Sequence, residues 1–474
     1  MKRPSTGTRW SACLAILVSF ATVPSCKCRR SLRRGDAAAV IVVAPRRDAA
    51  PPPKVPEQEP NESHEQAQAL ALGAEASAVH VEASLEPGED GKVRDVDLFK
   101  LVVPGERQVA AKDASSVDAG AVSEDPRLVA RRLWVEIAPQ GGAGLGLQLQ
   151  DEAGRPLAGV RVETGAVGGV PNLAVLPGLT YFIRVRPLTK PAKGAPHQTA
   201  GCQYLLTARI GDFEVADERE PNGTAETAIP VAVTGTVELA GYHGWPRDED
   251  FYRMPLPETL SALDAELDAV VGVASSIQVL DGSGKPLASA KGRRSERLAL
   301  RNVILQPAAA ESPPTARHVF LVVRAESGQN REQRYVLRIT CGLLRRNAEV
   351  EPNDKVESAT LVGDGTYSGY LTSGDVDWYR YEGEGARDVT VEVSFPARVR
   401  GKIESFRPGN LAAGAGRTRK PRQTVTLSAM ATHGQPLALR VSGIRADGNP
   451  NEPYAMRISS VPSAATAPAA PANP

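Results

Sequence analysis

Aromatic side chains are scarce, at 5% of 474 residues, and the chain holds only 4 methionines and 5 cysteines. Cores must therefore be assembled from Val, Leu, Ile and Ala, and a dense disulfide framework is excluded. Neither sign of charge is in excess. The 56 Lys and Arg against 55 Asp and Glu leave a net charge of +1, without the basic footprint of a nucleic-acid-binding protein. No apolar run reaches the ~20 residues that span a bilayer as a helix. Nor does any stretch of a dozen residues carry a helical period with capping signals. Glycine (43) and proline (38) are plentiful, which points to many turns. Hydrophobic residues at 42% and charged residues at 23% are the proportions of a folded chain. The length predicts about three domains.

The ends read differently from the middle. Lys2, Arg3 and Arg9 precede the apolar run Trp10 to Val23, the pattern of an export signal over residues 1–25. The run closes on Val23-Pro24-Ser25-Cys26, which resembles the lipobox of bacterial lipoproteins and implies that Cys26 is acylated. The alternative is ordinary cleavage that leaves Cys26 and Cys28 as thiols. Loss of the three leader cations would bring the net charge to −2. Lys27, Arg29, Arg30, Arg33 and Arg34 follow as a basic patch, which would reinforce a lipid anchor by ~1 kcal/mol per cation. Residues 26–56 are Ala/Pro-rich and read as a tether. Residues 461–474 read as a disordered tail.

Between the ends lies a threefold repeat. Glu57-Gln58-Glu59-Pro60-Asn61 is matched by Glu218-Arg219-Glu220-Pro221-Asn222 and by Glu349-Val350-Glu351-Pro352-Asn353. Each copy continues to a glutamate and an alanine: Glu65 and Ala67, Glu226 and Ala228, Glu357 and Ala359. Farther on, each has an acidic pair before an aromatic: Asp95, Asp97, Phe99; Asp248, Asp250, Tyr252; Asp375, Asp377, Tyr379. Closing segments around Tyr204, Tyr335 and Tyr454 repeat as well. Gln148 to Ala158 matches Gln278 to Ala288, apolar alternation around an Asp-x-x-Gly turn, and predicts a β-hairpin in the first two copies. Gly401 to Arg417 looks like a shortened counterpart in the third, without that hairpin. Period-2 segments such as Leu133 to Ile137, Val319 to Val323 and Leu437 to Val441 recur. The expected fold is all-β: three tandem jelly-roll-like β-sandwich modules over residues 57–211, 218–342 and 349–460.

These motifs resemble the bacterial pre-peptidase C-terminal domain family, a jelly-roll-like β-sandwich. The third copy matches best, through Glu351-Pro352-Asn353-Asp354 and Asp375-Val376-Asp377-Trp378-Tyr379; Gly223 and Glu62 stand where the other copies would need that aspartate. The resemblance spans nearly all of the chain after residue 56. It implies modules that accompany secreted peptidases or stand in tandem on exported proteins, similar to the collagen-binding modules of bacterial collagenases. There the acidic N-terminal segment helps bind calcium.

Calcium takes six to eight oxygen ligands, mixing carboxylates with amide and backbone carbonyls. Glu349, Glu351, Asn353, Asp354, Asp375 and Asp377 offer the fullest such set. Glu218, Glu220, Asn222, Asp248 and Asp250 offer a weaker one, and Glu57, Glu59, Asn61, Asp95 and Asp97 the weakest. An extended backbone before proline would project Glu349, Glu351 and Asn353 to one side. The competing reading has Asn353 and Asp354 capping a turn and the Asp pair ending a strand in solvent. Catalytic patterns are missing: the six histidines form no His-x-x-x-His pair, and neither a Gly-x-Ser-x-Gly elbow nor a phosphate loop occurs. Cys202 and Cys341 lie at even spacing from Tyr204 and Tyr335, as buried thiols in separate modules, with a bridge between them left open.

The expected function is that of a non-catalytic, lipid-anchored protein of the bacterial cell envelope, with calcium as a structural cofactor. Its modules would bind a polysaccharide or an envelope or secreted protein, with no nucleic-acid partner. The alternative is an accessory or chaperone-like subunit of a secreted peptidase.

Overall fold

In the computed structural model, residues 54–72, 78–87, 95–105, 130–140, 144–188, 202–214, 216–233, 235–307, 318–409, 411–432 and 435–463 are described. The leader, Cys26, the basic patch and nearly all of the tether lie outside the described residues, as does the tail from 464 on.

The first module holds β1 (Lys54–Pro56), β2 (Gln68–Leu70), β3 (Ala78–Leu85), β4 (Asp97–Val102) and β5 (Arg131–Pro139). It continues with β6 (Leu145–Gln150), β7 (Pro156–Val162), β8 (Gly168–Val175), β9 (Thr180–Pro187) and β10 (Cys202–Gly211). The second holds β11 (Ile229–Pro230), β12 (Thr236–His243), β13 (Glu249–Pro255), β14 (Ser261–Leu267) and β15 (Ala274–Asp281). Then come β16 (Pro286–Arg294), β17 (Leu298–Leu305), β18 (His318–Ser327) and β19 (Asn330–Gly342). The third holds β20 (Thr360–Val362), β21 (Gly365–Gly369), β22 (Val376–Tyr381), β23 (Arg387–Ser394) and β24 (Gly401–Arg407). It ends with β25 (Leu411–Arg417), β26 (Thr424–Ala431), β27 (Leu437–Gly443) and β28 (Tyr454–Pro462).

Each module is a two-sheet sandwich with one repeated topology. The orders β2-β4-β9-β6-β7, β11-β13-β18-β15-β16 and β20-β22-β27-β24-β25 build one layer. The orders β3-β10-β5-β8, β12-β19-β14-β17 and β21-β28-β23-β26 build the other, with β1 added at the first module's edge. Period-2 patterning drives the packing: along β5, Leu133, Val135 and Ile137 are buried, and along β28 so are Tyr454, Met456 and Ile458. Every module has its own core, made from Val, Leu, Ile and Tyr of both layers.

Three expectations change. Lys54–Pro56 is a strand pairing parallel with β3, so the first module begins inside the expected tether. The third runs to Pro462, two residues past its expected end, because β28 keeps its partner β23 to that point. The third module also has the hairpin it was expected to lack: β24 pairs with β25, and Gly409, at φ 80°, lets the chain turn without an Asp-x-x-Gly signal. Cys202 is buried in β10 and Cys341 only half-buried near the end of β19; both are thiols.

The described residues belong to one compact unit, and the repeat motif itself joins the modules. Glu220 makes a parallel bridge to Leu173 of β8, and Glu351 makes the same bridge to Val303 of β17. Both β8 and β17 are edge strands, so each covers its open edge with the next module's motif. Asn302, at φ 51°, donates from Nδ2 to the Glu349 carbonyl (2.5 Å) and accepts the Arg345 N–H (3.0 Å). Asn172, at the same register of β8, donates from Nδ2 to the Glu218 side-chain carboxylate instead. In the third module β26 carries Ser428, just before Ala429, at the register that Asn172 and Asn302 occupy. Asn302→Ala should cost about 1–3 kcal/mol by orphaning buried backbone groups, and it should speed proteolysis at residues 343–348. Ser428→Ala should leave urea melts and cleavage rates unchanged.

Candidate metal centre

One set of contacts assembles the motif three times. The second glutamate accepts the N–H of the asparagine two residues on: Asn61 to Glu59 (3.0 Å), Asn222 to Glu220 (2.8 Å), Asn353 to Glu351 (2.9 Å). The asparagine carbonyl then accepts the N–H that follows the second aspartate, from Leu98, Phe251 or Trp378 (3.0, 3.0 and 2.9 Å). That bond fastens the motif to β4, β13 or β22. The first glutamate accepts a backbone N–H from β3, from β12 or from the residue just after β21, at Ser84, Tyr242 or Tyr370 (2.8, 2.7 and 2.8 Å). Three separate strands thus bring the carboxylates to one point. Glu349, Glu351 and Asp377 place ligand-type oxygens within 4.8 Å of one another, as do Glu220, Asp248 and Asp250, and Glu57, Glu59 and Asp97.

Closing-strand tyrosines complete the site, and the sequence reading did not assign them to it. Tyr454 donates to Asp377 (2.6 Å), Tyr335 to Asp250 (2.7 Å) and Glu218 (2.8 Å), and Tyr204 to Asp97. Their recurrence was legible; their direction, through the sandwich interior toward the second aspartate, needed the layers. The first aspartate of each pair has a different job. Asp375 accepts the N–H of Thr372 (3.0 Å) and Val376 (2.9 Å), Asp248 that of Gly244 (2.7 Å), and Asp95 that of Glu86 (2.8 Å). It ties a loop, and only in the second module does it also join the tight cluster. Asp354 lies exposed at the rim, outside the triad.

Burial gives these carboxylates unusual electrostatics. It pushes Glu351 and Glu220 up to about 8, helped by the charges of Asp375 and Asp250. It also drives Glu349, Asp377, Glu218 and Asp248 well above the carboxylate range, each with neighbouring carboxylates adding to the rise. Asp375 and Asp250 rise to about 6. Water is replaced by like charges, which disfavours ionisation. Asp377 Oδ1 and both amide atoms of Asn353 are buried with no hydrogen-bond partner among the described residues; so are Glu220 Oε1 and Asp248 Oδ1. Buried oxygens left unpaired, converging and mutually repelling suit a hard divalent cation. The donor set is all oxygen, and no histidine or cysteine joins the clusters found among the described residues. Solvent-exposed strand ends are therefore not what these residues form: Asn353 and Asp377 are fully buried.

The three copies differ at one neighbouring position. Gly241 and Gly369 sit where a Cβ would collide with the Glu218 or Glu349 carboxylate and with the Tyr335 or Tyr454 hydroxyl. The first module has Ala83 at that register. Its Glu57 is half-buried and Glu59 exposed, whereas Glu218, Glu220, Glu349 and Glu351 are all buried. Burial, with the charges of Glu57 and Asp95 adding to it, still lifts Asp97 to about 9. This copy opens instead onto a 560 Å³ acidic cleft lined by Glu57, Glu59, Glu82 and Glu86.

No family model matches the chain, and no curated protein matches it. Among solved structures, the PBSX exported protein XepA is 12% identical, covering 55% of this chain and 84% of its own, with a TM-score of 0.17. A Sulfolobus turreted icosahedral virus structure is 10% identical over 69% of this chain and 77% of that one (TM-score 0.15). The M60 catalytic domain with CBM51 domains of Clostridium perfringens ZmpB is 7% identical over 78% of this chain and 33% of that one (TM-score 0.16). At such scores the likeness carries no argument, and the fold rests on the strands described above.

Proposed function

We propose that the chain is a non-catalytic binding protein of the bacterial cell envelope, exported and anchored through Cys26 and the basic residues beside it. Calcium holds its modules in a fixed register, and the tandem sandwiches present their faces to a polysaccharide or an envelope protein. The observation that supports this most is the position of the acidic clusters. In the second and third modules they are enclosed at the joint with the preceding module, where Glu220 and Glu351 also pair with its edge strand. Carboxylates so placed hold structure together and are withdrawn from any substrate. A fixed array of similar modules multiplies weak contacts when sites match.

Co-sedimentation with purified, insoluble envelope polysaccharide tests the binding role. The full-length chain should pellet with it in millimolar calcium and be released in part by chelator, as the array loosens. A chain that pellets neither with this material nor with envelope protein fractions would refute the reading.

A further inference from the structure

A cleft of 520 Å³ opens between the second and third modules, a volume within the range of about 300–1,000 Å³ typical of ligand sites. Arg293, Arg294 and Arg297 wall one side, from the β16–β17 turn; Arg398 and residues 446–451 wall the other. The acids in the lining are already engaged. Glu296 accepts the Arg293 backbone N–H (2.6 Å), and Asp447 takes Arg400 in a two-pronged pair (2.7 and 3.1 Å). Arg297 is matched by Glu266 and Asp268. Arg293, Arg294 and Arg398 are exposed; Arg293 lies within the field of Asp447, whose carboxylate is already held by Arg400. Three exposed arginines, Arg293, Arg294 and Arg398, thus line one cleft from both modules.

The backbone around the cleft is unusual too. Ser295 (φ 58°), Arg398 (φ 69°), Arg445 (φ 57°) and Ala446 (φ 59°) all adopt the left-handed region. Only three other non-glycine residues do so among those described: Arg247, Asn302 and Arg422. Side chains disfavour that conformation, and such residues gather at ligand clamps. Here the turns bring Arg398 and the 446–451 segment opposite the β16–β17 turn. Ser295, Ser373, Asn449 and Asn451 supply neutral polar groups between the arginines.

We propose that this cleft binds a phosphate- or sulfate-ester oxyanion carried on a polysaccharide. Guanidinium forks match such oxyanions, and converging forks suit a tetrahedral group better than a planar carboxylate. The neutral amides and hydroxyls suit sugar hydroxyls. The cleft is concave and its apolar lining is confined to Ala269, Ala446 and Pro450, so it offers no wedge for a lipid surface. This inference rests on the binding role proposed above and specifies its ligand.

Calorimetric titration of the full-length chain with dextran sulfate and with neutral dextran tests it. The sulfated polymer should bind and the neutral one should not, and inorganic phosphate should compete at millimolar concentration. Arg293→Ala with Arg294→Ala should weaken binding at least tenfold, and Arg398→Ala severalfold. Arg407→Ala with Arg417→Ala, exposed on the β24–β25 hairpin, removes equal charge and should change affinity less than twofold. Equal weakening by both pairs would mean diffuse charge and overturn the site. Preference for phosphatidylglycerol vesicles over dextran sulfate would overturn the polysaccharide source. If envelope polysaccharide still co-sediments with the Arg293, Arg294 and Arg398 variants as with the native chain, the cleft fails while the binding role stands. If native protein binds neither polysaccharide nor envelope protein fractions, both fail.

Discussion

Chelating calcium at pH 8 should lower the melting temperature on the order of 10 °C, while at pH 5 chelator and calcium should give nearly the same melt. A cation at a hundred times its dissociation constant stabilises by about 2.7 kcal/mol per site, which is several degrees for a domain of this size. The pH dependence follows from the carboxylates. Glu351 and Glu220 are raised to about 8, and Asp375 and Asp250 to about 6, from ordinary values near 4. Without a cation the folded state holds the extra protons. That contribution is fully present below the unfolded pKa and is lost as pH rises through 6 to 8. Calcium needs the ionised forms, so its stabilisation grows over the same window. Magnesium should do less, because it prefers a tight octahedron and keeps its waters. Glu351→Gln with Asp377→Asn should abolish the third module's share and raise the melting temperature of the chelated protein at pH 8, by removing repulsion. Superimposable melts at pH 8 with and without calcium would contradict the cation reading for every module.

Gly369→Ala is expected to be the most damaging single substitution at the third site. Its Cβ would meet the Glu349 carboxylate and the Tyr454 hydroxyl, both buried and both held by other bonds. Overpacking of this kind costs about 1–3 kcal/mol, and displacement of Glu349 should weaken calcium binding at that site at least tenfold. Gly363→Ala, where a Cβ would meet nothing within 4 Å, is the control for added side-chain bulk. Urea melts and calorimetric calcium titration read the two effects separately. If Gly369→Ala keeps native affinity and stability, Glu349 is not a ligand and Ala83 does not explain the first module's more exposed cluster.

Much of this was legible in the chain. Repetition of Glu-x-Glu-Pro-Asn and of the Asp pairs exposed the modules, and alternation such as Leu133, Val135, Ile137 exposed the strands, because both are local in sequence. The Gly401 to Arg417 hairpin was misread because its turn uses Gly409 rather than the Asp-x-x-Gly of the other copies. Lys54–Pro56 reads as tether because three residues next to a proline run carry no period of their own; their partner is β3, more than 20 residues on. The acidic cluster's membership was anticipated more closely than its geometry. Asp354 stays outside the triad and Asp375 ties a loop, although both looked like ligands by type. Tyr454 and Gly369 could not be assigned from spacing, since their roles depend on which side chains meet across the sandwich. The docking of Glu220 on β8 and Glu351 on β17 was hidden for the same reason: it joins segments 47 and 48 residues apart (Leu173 to Glu220, Val303 to Glu351) across two modules.

The number of calcium ions bound per chain tests the central claim most directly. Equilibrium dialysis of the full-length protein at pH 8 should give two tightly held ions, one each for the second and third modules. A weaker increment should come from the first, where Glu57 is half-buried and Glu59 exposed. Glu351→Gln should reduce the tight count to one. A count of zero at millimolar calcium would contradict the account, as would three equal sites unaffected by that substitution.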